Sequence, residues 1–210
     1  MRRHTKTGIL GVLALTLLGS AGLLSAAELA AAKTTQENLQ AAYTGESNAK
    51  ARYEAFAAKA KEEGYLSVAA LFTAAAKSEG VHMKKAGNAL EKLGATPAAA
   101  PETPVVKTTK ENLETALKGE VDEAQSMYPA FIKQAEKDKN TPALYAFKGA
   151  MVAEAEHAKM FKMASENLEG WKAEGKEFLV CDVCGYTTMD MKIQVCPVCT
   201  APRSKFDLVK

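Results

Sequence analysis

Lys33–Glu46 reads KTTQENLQAAYTGE and Lys107–Glu120 reads KTTKENLETALKGE, with nine of fourteen positions identical at a constant offset of 74. Each copy opens on a Thr-x-x-Glu (Thr34 with Glu37, Thr108 with Glu111), the spacing of a helix-initiating capping box. Each closes on a glutamate, Glu46 or Glu120. Downstream of each copy stands a Glu-x-x-His, Glu79 with His82 and Glu154 with His157, at separations of 33 and 34 residues from the closing glutamate. Residues three apart share one face of a helix. Each half of the chain therefore reads as a helical hairpin carrying one Glu and one Glu-x-x-His. Two such hairpins supply the ligands of a carboxylate-bridged two-metal site inside a four-helix bundle.

Working outward, the helices are expected over 35–63, 66–93, 109–138 and 142–169. Gly64 and Gly94 are the expected stops of the first two. The proline-bearing stretch Ala95–Lys107 joins the hairpins. Thr141 followed by Pro142 reads as an N-cap and first helical position, and Pro129 is expected to kink the third helix just after Tyr128. Gly80 and Gly149 fall in helix interiors, where glycine costs about 1 kcal/mol.

The apolar seams recur at helical spacing. They run Leu39, Ala42, Glu46, Ala49, Tyr53, Phe56, Ala60 in the first helix and Val68, Phe72, Ala75, Glu79, His82, Ala86, Ala89, Leu93 in the second. The third runs Leu113, Ala116, Glu120, Glu123, Met127, Phe131, and the fourth Leu144, Phe147, Met151, Glu154, Ala158, Phe161, Leu168, with His157 beside Glu154. Each seam is interrupted near its middle by carboxylate, and none carries a Lys or Arg. An unpaired buried carboxylate costs several kcal/mol, and five together repel. Two metal ions would supply roughly +4 to +6 against those five charges, and oxygen ligands with two imidazoles suit iron or manganese.

After Gly170 the character changes. Cys181-x-x-Cys184 and Cys196-x-x-Cys199 hold all four cysteines of the chain, eleven residues apart. Paired knuckles of this kind bring four thiolates into a tetrahedron that accepts iron or zinc. Disulfides are the competing reading in an exported chain. A tail this short has too small a core to fold without a metal.

Composition sets the remaining bounds. A net charge of +2 gives no electrostatic footprint for nucleic acid. The first residues carry Arg2, Arg3 and Lys6, then an uncharged run from Gly8 to Leu24, then Ser25-Ala26-Ala27. That is the layout of a secretory signal peptide over 1–27, implying export, in a bacterium to the periplasm. Left uncleaved, the same run would be a membrane anchor, the chain's one route to a membrane.

Four segments carry a resemblance: GESNAKARY around Glu46, Glu79-Gly-Val-His82, GEVDEAQSMYP from Gly119, and AEAEHAKMF from Ala153. These resemble the four helices of rubrerythrin, and CDVCGY with CPVC resembles its rubredoxin-type tail. The likeness spans about 33–210, as a bundle over 33–170 and a tail over 176–210. It implies an all-α, ferritin-like four-helix bundle with a small C-terminal rubredoxin-like domain built on four cysteines. It further implies two iron ions in a carboxylate-bridged di-iron site and one iron, or zinc, in the tail. By position, Glu46, Glu79, Glu120, Glu123, Glu154 and His157 become the di-iron ligands, and His82 the ligand that trades with Glu123. Tyr53 and Tyr128 become hydrogen-bonding neighbours, and Cys181, Cys184, Cys196 and Cys199 hold the tail's metal. The implied activity is reduction of hydrogen peroxide to water, with electrons from an unidentified donor relayed through the tail. The implied assembly is a head-to-tail homodimer, with one subunit's tail beside the other's di-iron site. A ferroxidase or iron-binding protein with a structural zinc ribbon is the rival reading.

Overall fold

The computed structural model describes residues 33–99, 102–173 and 175–210. The leader over 1–27, its cleavage and the export inferred from it lie outside those residues. No helix among the described residues is long and apolar enough to cross a membrane.

Both copies of the repeat begin helices in the expected way. Thr34 and Thr108 accept from the backbone N–H of Glu37 and Glu111, and those glutamates bond back to the cap residue. The first helix, α1, is Thr35–Glu62, and α2 is Leu66–Lys92. Every seam residue expected in α1 is buried. Along the α2 seam only Leu93, the residue that caps the helix, is exposed, at 42%.

The third rod differs from a kinked helix. It runs as α3 (Thr109–Asp122), a widened π-turn (Glu123–Met127) and α4 (Tyr128–Lys137). The extra residue in the π-turn lets Tyr128 N–H bond to Glu123 C=O, and Pro129 then falls in the first turn of α4, where its missing N–H costs little. The break thus starts at Glu123, upstream of the proline rather than at it. The fourth rod, α5 (Thr141–Glu166), is capped by Asn140, whose side chain accepts from Ala143 N–H. The cap is therefore one residue earlier than Thr141, and Pro142 remains in the first turn.

The tail is a small antiparallel sheet in the order β2-β1-β3, with β1 at Phe178–Cys181, β2 at Thr187–Thr188 and β3 at Phe206–Val209. Its connection to α5 is pinned to the start of α2. Leu66 N–H donates to Lys172 C=O, and Ser67 Oγ donates to Ala173 C=O. Trp171 stacks on Phe178, and Phe178, Val180 and Val209 share one apolar cluster with Leu71, Phe72 and Phe161 of the bundle. This shared core lays the sheet along α2 and α5 and carries the cysteine loops toward the middle of the bundle. A separate cluster of Leu179, Cys181, Cys184, Cys196, Ala201 and Phe206 fills the tail itself.

Candidate metal centre

Glu46 on α1, Glu79 and His82 on α2, Glu120 on α3, and Glu154 and His157 on α5 are each at most 2% exposed. Their ligand atoms form two overlapping sets, Glu46–Glu79–His82–Glu154 and Glu79–Glu120–Glu154–His157, each with all atoms within 4.8 Å of one another. Glu79 and Glu154 belong to both. Two cations bridged by these two carboxylates, each with one further glutamate and one imidazole, fit the arrangement.

Both histidines turn Nδ1 inward. His82 Nδ1 lies 2.9 Å from Glu79 Oε2 and 2.9 Å from Glu154 Oε1. His157 Nδ1 lies 2.9 Å from Glu154 Oε2, 3.3 Å from Glu120 Oε2 and 3.4 Å from Glu79 Oε1. Even so, Glu46 Oε2, Glu79 Oε1 and both oxygens of Glu154 are buried without a well-aligned hydrogen bond. Buried carboxylate oxygens in that condition are expensive, and they converge where cations would sit.

The electrostatics of the bare side chains show the same demand for positive charge. Burial, with the charges of Glu79, Glu154 and Glu123, pushes the Glu46 carboxyl well up. Burial pushes Glu120 up to about 8, with Glu79 and Glu154 adding to the rise and His157 opposing it. Burial also raises Glu123, with Glu120, Glu154 and Glu79 adding to it. Burial alone would lower His82, but Glu154 and Glu79 outweigh it and lift the ring to about 10. His157 rises for the same reason, with Glu120 as its strongest partner. Burial would raise Glu79, yet hydrogen bonds from His157 and His82 hold it low. Protons therefore take the positions that metal ions would take.

Two tyrosines bond to the cluster. Tyr128 O–H donates to Glu46 Oε1 and Tyr53 O–H to Glu120 Oε1, one on each glutamate that belongs to a single set. Glu123 belongs to neither set, and His82 completes the site on its side. Arg52, one position off the α1 seam, lies over the Tyr53 ring at 5.5 Å, and its charge opposes the rise of Glu123. The seams themselves carry no cation, but this one stands beside them.

The four cysteines converge as well. Cys181 Sγ is 3.6 Å from Cys199 Sγ and Cys184 Sγ is 3.5 Å from Cys196 Sγ, with all four within 4.8 Å of one another. A disulfide requires about 2.05 Å, whereas a tetrahedron of roughly 2.3 Å metal–sulfur bonds has edges of about 3.8 Å. All four are free thiols. Backbone N–H groups of Val183 and Cys184 point at Cys181, that of Tyr186 at Cys184, and that of Ala201 at Cys199. A hydrogen bond from the Cys184 thiol, aided by those amides, brings Cys181 down to about 5. Cys184 and Cys199 are pushed the other way, Cys184 chiefly by its hydrogen bond with Cys181 and Cys199 by burial, so in the bare cluster the first proton to leave is that of Cys181.

The two centres touch. His82 Nε2 lies 3.2 Å from Cys184 C=O, and Ser78 Oγ donates to Gly185 C=O at 2.6 Å. His157 Nε2 lies 3.1 Å from Thr187 Oγ1. Gly185 has φ +83°, and a Cβ there would overlap His82 Nε2 and stand 2.8 Å from Ser78 Oγ, so only glycine permits this approach. A Cβ at Gly149 of α5 would stand 3.7 Å from Cys184 C=O, in ordinary contact. The tail of this chain packs on its own bundle. Sequence reasoning passed over Ser78, Thr187 and Gly185 as site residues. Ser78 had a signal, since it stands four residues before His82 on the same helix face. Thr187 had none short of the docked tail.

A ferritin-like bundle with a two-metal carboxylate–histidine core, joined to a four-cysteine tail, defines a class of di-iron protein. Comparison with known proteins narrows it. The family model described as Rubrerythrin matches residues 37–165, and the one described as Rubrerythrin, rubredoxin-like domain, matches 180–207. The chain is 35% identical over 179 residues to nigerythrin of Nitratidesulfovibrio vulgaris, covering 82% of this chain and 85% of that protein. It is 33% identical over 185 residues to rubrerythrin of Porphyromonas gingivalis, covering 84% and 90% respectively. The structure of fully reduced, all-ferrous nigerythrin superposes with a TM-score of 0.78 at 32% identity, covering 84% of this chain and 87% of that one. This chain belongs to the rubrerythrin family. It is accordingly an oxidoreductase with a di-iron site in its ferritin-like domain and a four-cysteine rubredoxin-like site in its tail.

Proposed function

We propose that this protein reduces hydrogen peroxide to water at the bundle site, using electrons that enter through the tail. The observation that carries this reading is the contact between centres. The outer nitrogens of both site histidines meet the tail, His82 at Cys184 C=O of the first cysteine knuckle and His157 at Thr187 of β2, so the tail abuts the site it would feed. A purely structural ribbon would have no need of that contact, which favours a relay over the ferroxidase reading.

The reaction takes H2O2, two electrons and two protons to two waters, breaking the O–O bond. Two ferrous ions supply Lewis acidity and one electron each when bound. Glu79 and Glu154, shared by both ligand sets, would hold both ions, with Glu46 and His82 completing one set and Glu120 and His157 the other. Glu123, on the π-turn, is the carboxylate free to exchange with His82, because the widened turn is the least regular part of the third rod. Tyr128 and Tyr53 orient Glu46 and Glu120 and place an O–H within reach of the departing oxygen. Two apolar clusters, one with Phe56, Phe72 and Phe161 and the other with Phe147, exclude bulk water.

The homodimer that the resemblance implies is part of the same proposal, and turnover per chain that persists on dilution to monomer would show that a tail can feed its own bundle. Export through the leader is part of the same proposal, and the N-terminal mass of the protein from the intact cell tests it. The direct test of function is rapid mixing of fully reduced protein with peroxide and, separately, with dioxygen. Oxidation by peroxide much faster than by dioxygen is expected. The reverse order would replace this reading with an iron oxidase.

A further inference from the structure

Thr187 is fully buried and belongs to the tail, yet its hydroxyl faces a ligand of the bundle. That hydroxyl has one proton, and it goes to Gly185 C=O at 3.0 Å. Toward His157 Nε2, 3.1 Å away, Thr187 Oγ1 can therefore only accept. The imidazole must then carry its proton on Nε2, which leaves the Nδ1 lone pair aimed at Glu154, Glu120 and Glu79, where a metal ion would sit. Position 187 is held from the backbone side as well, paired with Val180 in the β1–β2 ladder. At His82 the nearer partner of the outer nitrogen is the Cys184 backbone carbonyl at 3.2 Å, with Ser78 Oγ of its own helix at 3.4 Å, so no side chain of the tail orients that ring.

We propose that Thr187 is a positioning residue for the di-metal site: a side chain of the tail fixes the ring and tautomer of His157, so that metal affinity in the bundle depends on the seating of the tail. This rests on the ligand assignment given above. Groups that orient a metal-bound histidine through its other nitrogen typically change metal affinity by about 10- to 100-fold when removed. Thr187→Val keeps the shape and removes the acceptor, whereas Thr187→Ser keeps the acceptor and removes a methyl group.

The experiment is anaerobic iron(II) binding to the full chain, by chelator competition, with visible absorption of the tail recorded alongside. Thr187→Val should weaken one of the two bundle equivalents by about 10- to 100-fold, with the other equivalent and the tail spectrum unchanged. Thr187→Ser should restore the parent affinity. Unchanged binding of both equivalents in Thr187→Val overturns the proposal. So does equal loss in Val and Ser variants, which would make position 187 a packing site. Should Thr187→Val fail to fold, the Ser variant decides against a third one, Thr187→Ala, by the same criterion. Affinity rather than turnover is read, so failure of the peroxidase reading leaves this result intact. A parent protein that bound no iron in the bundle would instead refute the site itself.

Discussion

The bundle site and the tail site solve the same problem with opposite means. In the bundle, six buried ligands come from four long helical rods, and a large apolar core holds them together whether the site charges are balanced by metal ions or by protons. In the tail, four ligands lie within 19 residues, on two loops joined by three short strands. Its own apolar cluster is small and includes the cysteines themselves. A metal in the tail therefore does much of the folding, whereas a metal in the bundle relieves a cost that the fold has already met. Where the two meet, the looser element presents backbone carbonyls and one hydroxyl to the stiffer one.

The largest effect should come from Glu79 or Glu154, the carboxylates common to both ligand sets. Glu79→Ala or Glu154→Ala should drop peroxide turnover to background and release both bundle metals, while visible absorption of the tail persists. Normal turnover in both variants would break the assignment of these residues. Next is the tail. Cys181→Ser should empty the four-cysteine site and melt the tail locally, with the bundle still binding two metals, one of them about 10- to 100-fold more weakly once Thr187 leaves His157. Donor-driven turnover should stop, yet the chemically reduced bundle should still consume one equivalent of peroxide. Hydrogen exchange confined to 176–210 would report the local melting.

A smaller effect is expected at the junction. Gly185→Ala sets a Cβ against His82 and Ser78 and should unseat the first knuckle. Re-oxidation of the tail by the bundle should slow, with both metal sites still filled. Smallest is Tyr53→Phe, which removes one hydrogen bond to Glu120. The expected cost is about 1–2 kcal/mol in thermal stability, with metal content unchanged.

The pH response should also separate the regions. In the metal-free bundle, the Glu120 carboxyl is raised to about 8 and the His82 imidazole to about 10. For both groups the folded state holds its proton more tightly than the unfolded chain. Stability should therefore fall with rising pH, through about 4.5 to 8 for Glu120 and 6.5 to 10 for His82. Iron competes with those protons, so bundle affinity should rise over the same window. Melting temperatures of metal-free and iron-loaded protein should thus diverge as pH increases. Parallel curves would contradict the exchange of protons for metal.

The bundle ligands were legible in the sequence because helical periodicity, a 74-residue repeat and three-residue spacing are all local signals. All seven expected seam positions of α1 are buried. The cysteine knuckles were legible for the same reason. The π-turn was not, since a proline predicts a break but not that the chain will widen upstream of it, over Glu123. Asn140 was missed as a cap because Thr141 is an equally good cap chemically, and only backbone geometry separates them. The seat of the tail depends on Trp171, Phe178 and Val209 meeting the bundle core, contacts distant in sequence and without a periodic trace. Thr187 and Gly185 became site residues through that seat alone.

Carboxylates survive in the middle of this bundle because cations belong among them. The measurement that bears on this most directly is anaerobic iron titration of the metal-free Cys181→Ser/Cys199→Ser variant, with circular dichroism to show that the helices are formed. Two equivalents should bind, the one at His157 more weakly than in the parent because the tail is unseated, with release of protons and a rise in melting temperature. A fully helical protein that takes up no iron, at any pH where its glutamates are ionised, would contradict the account.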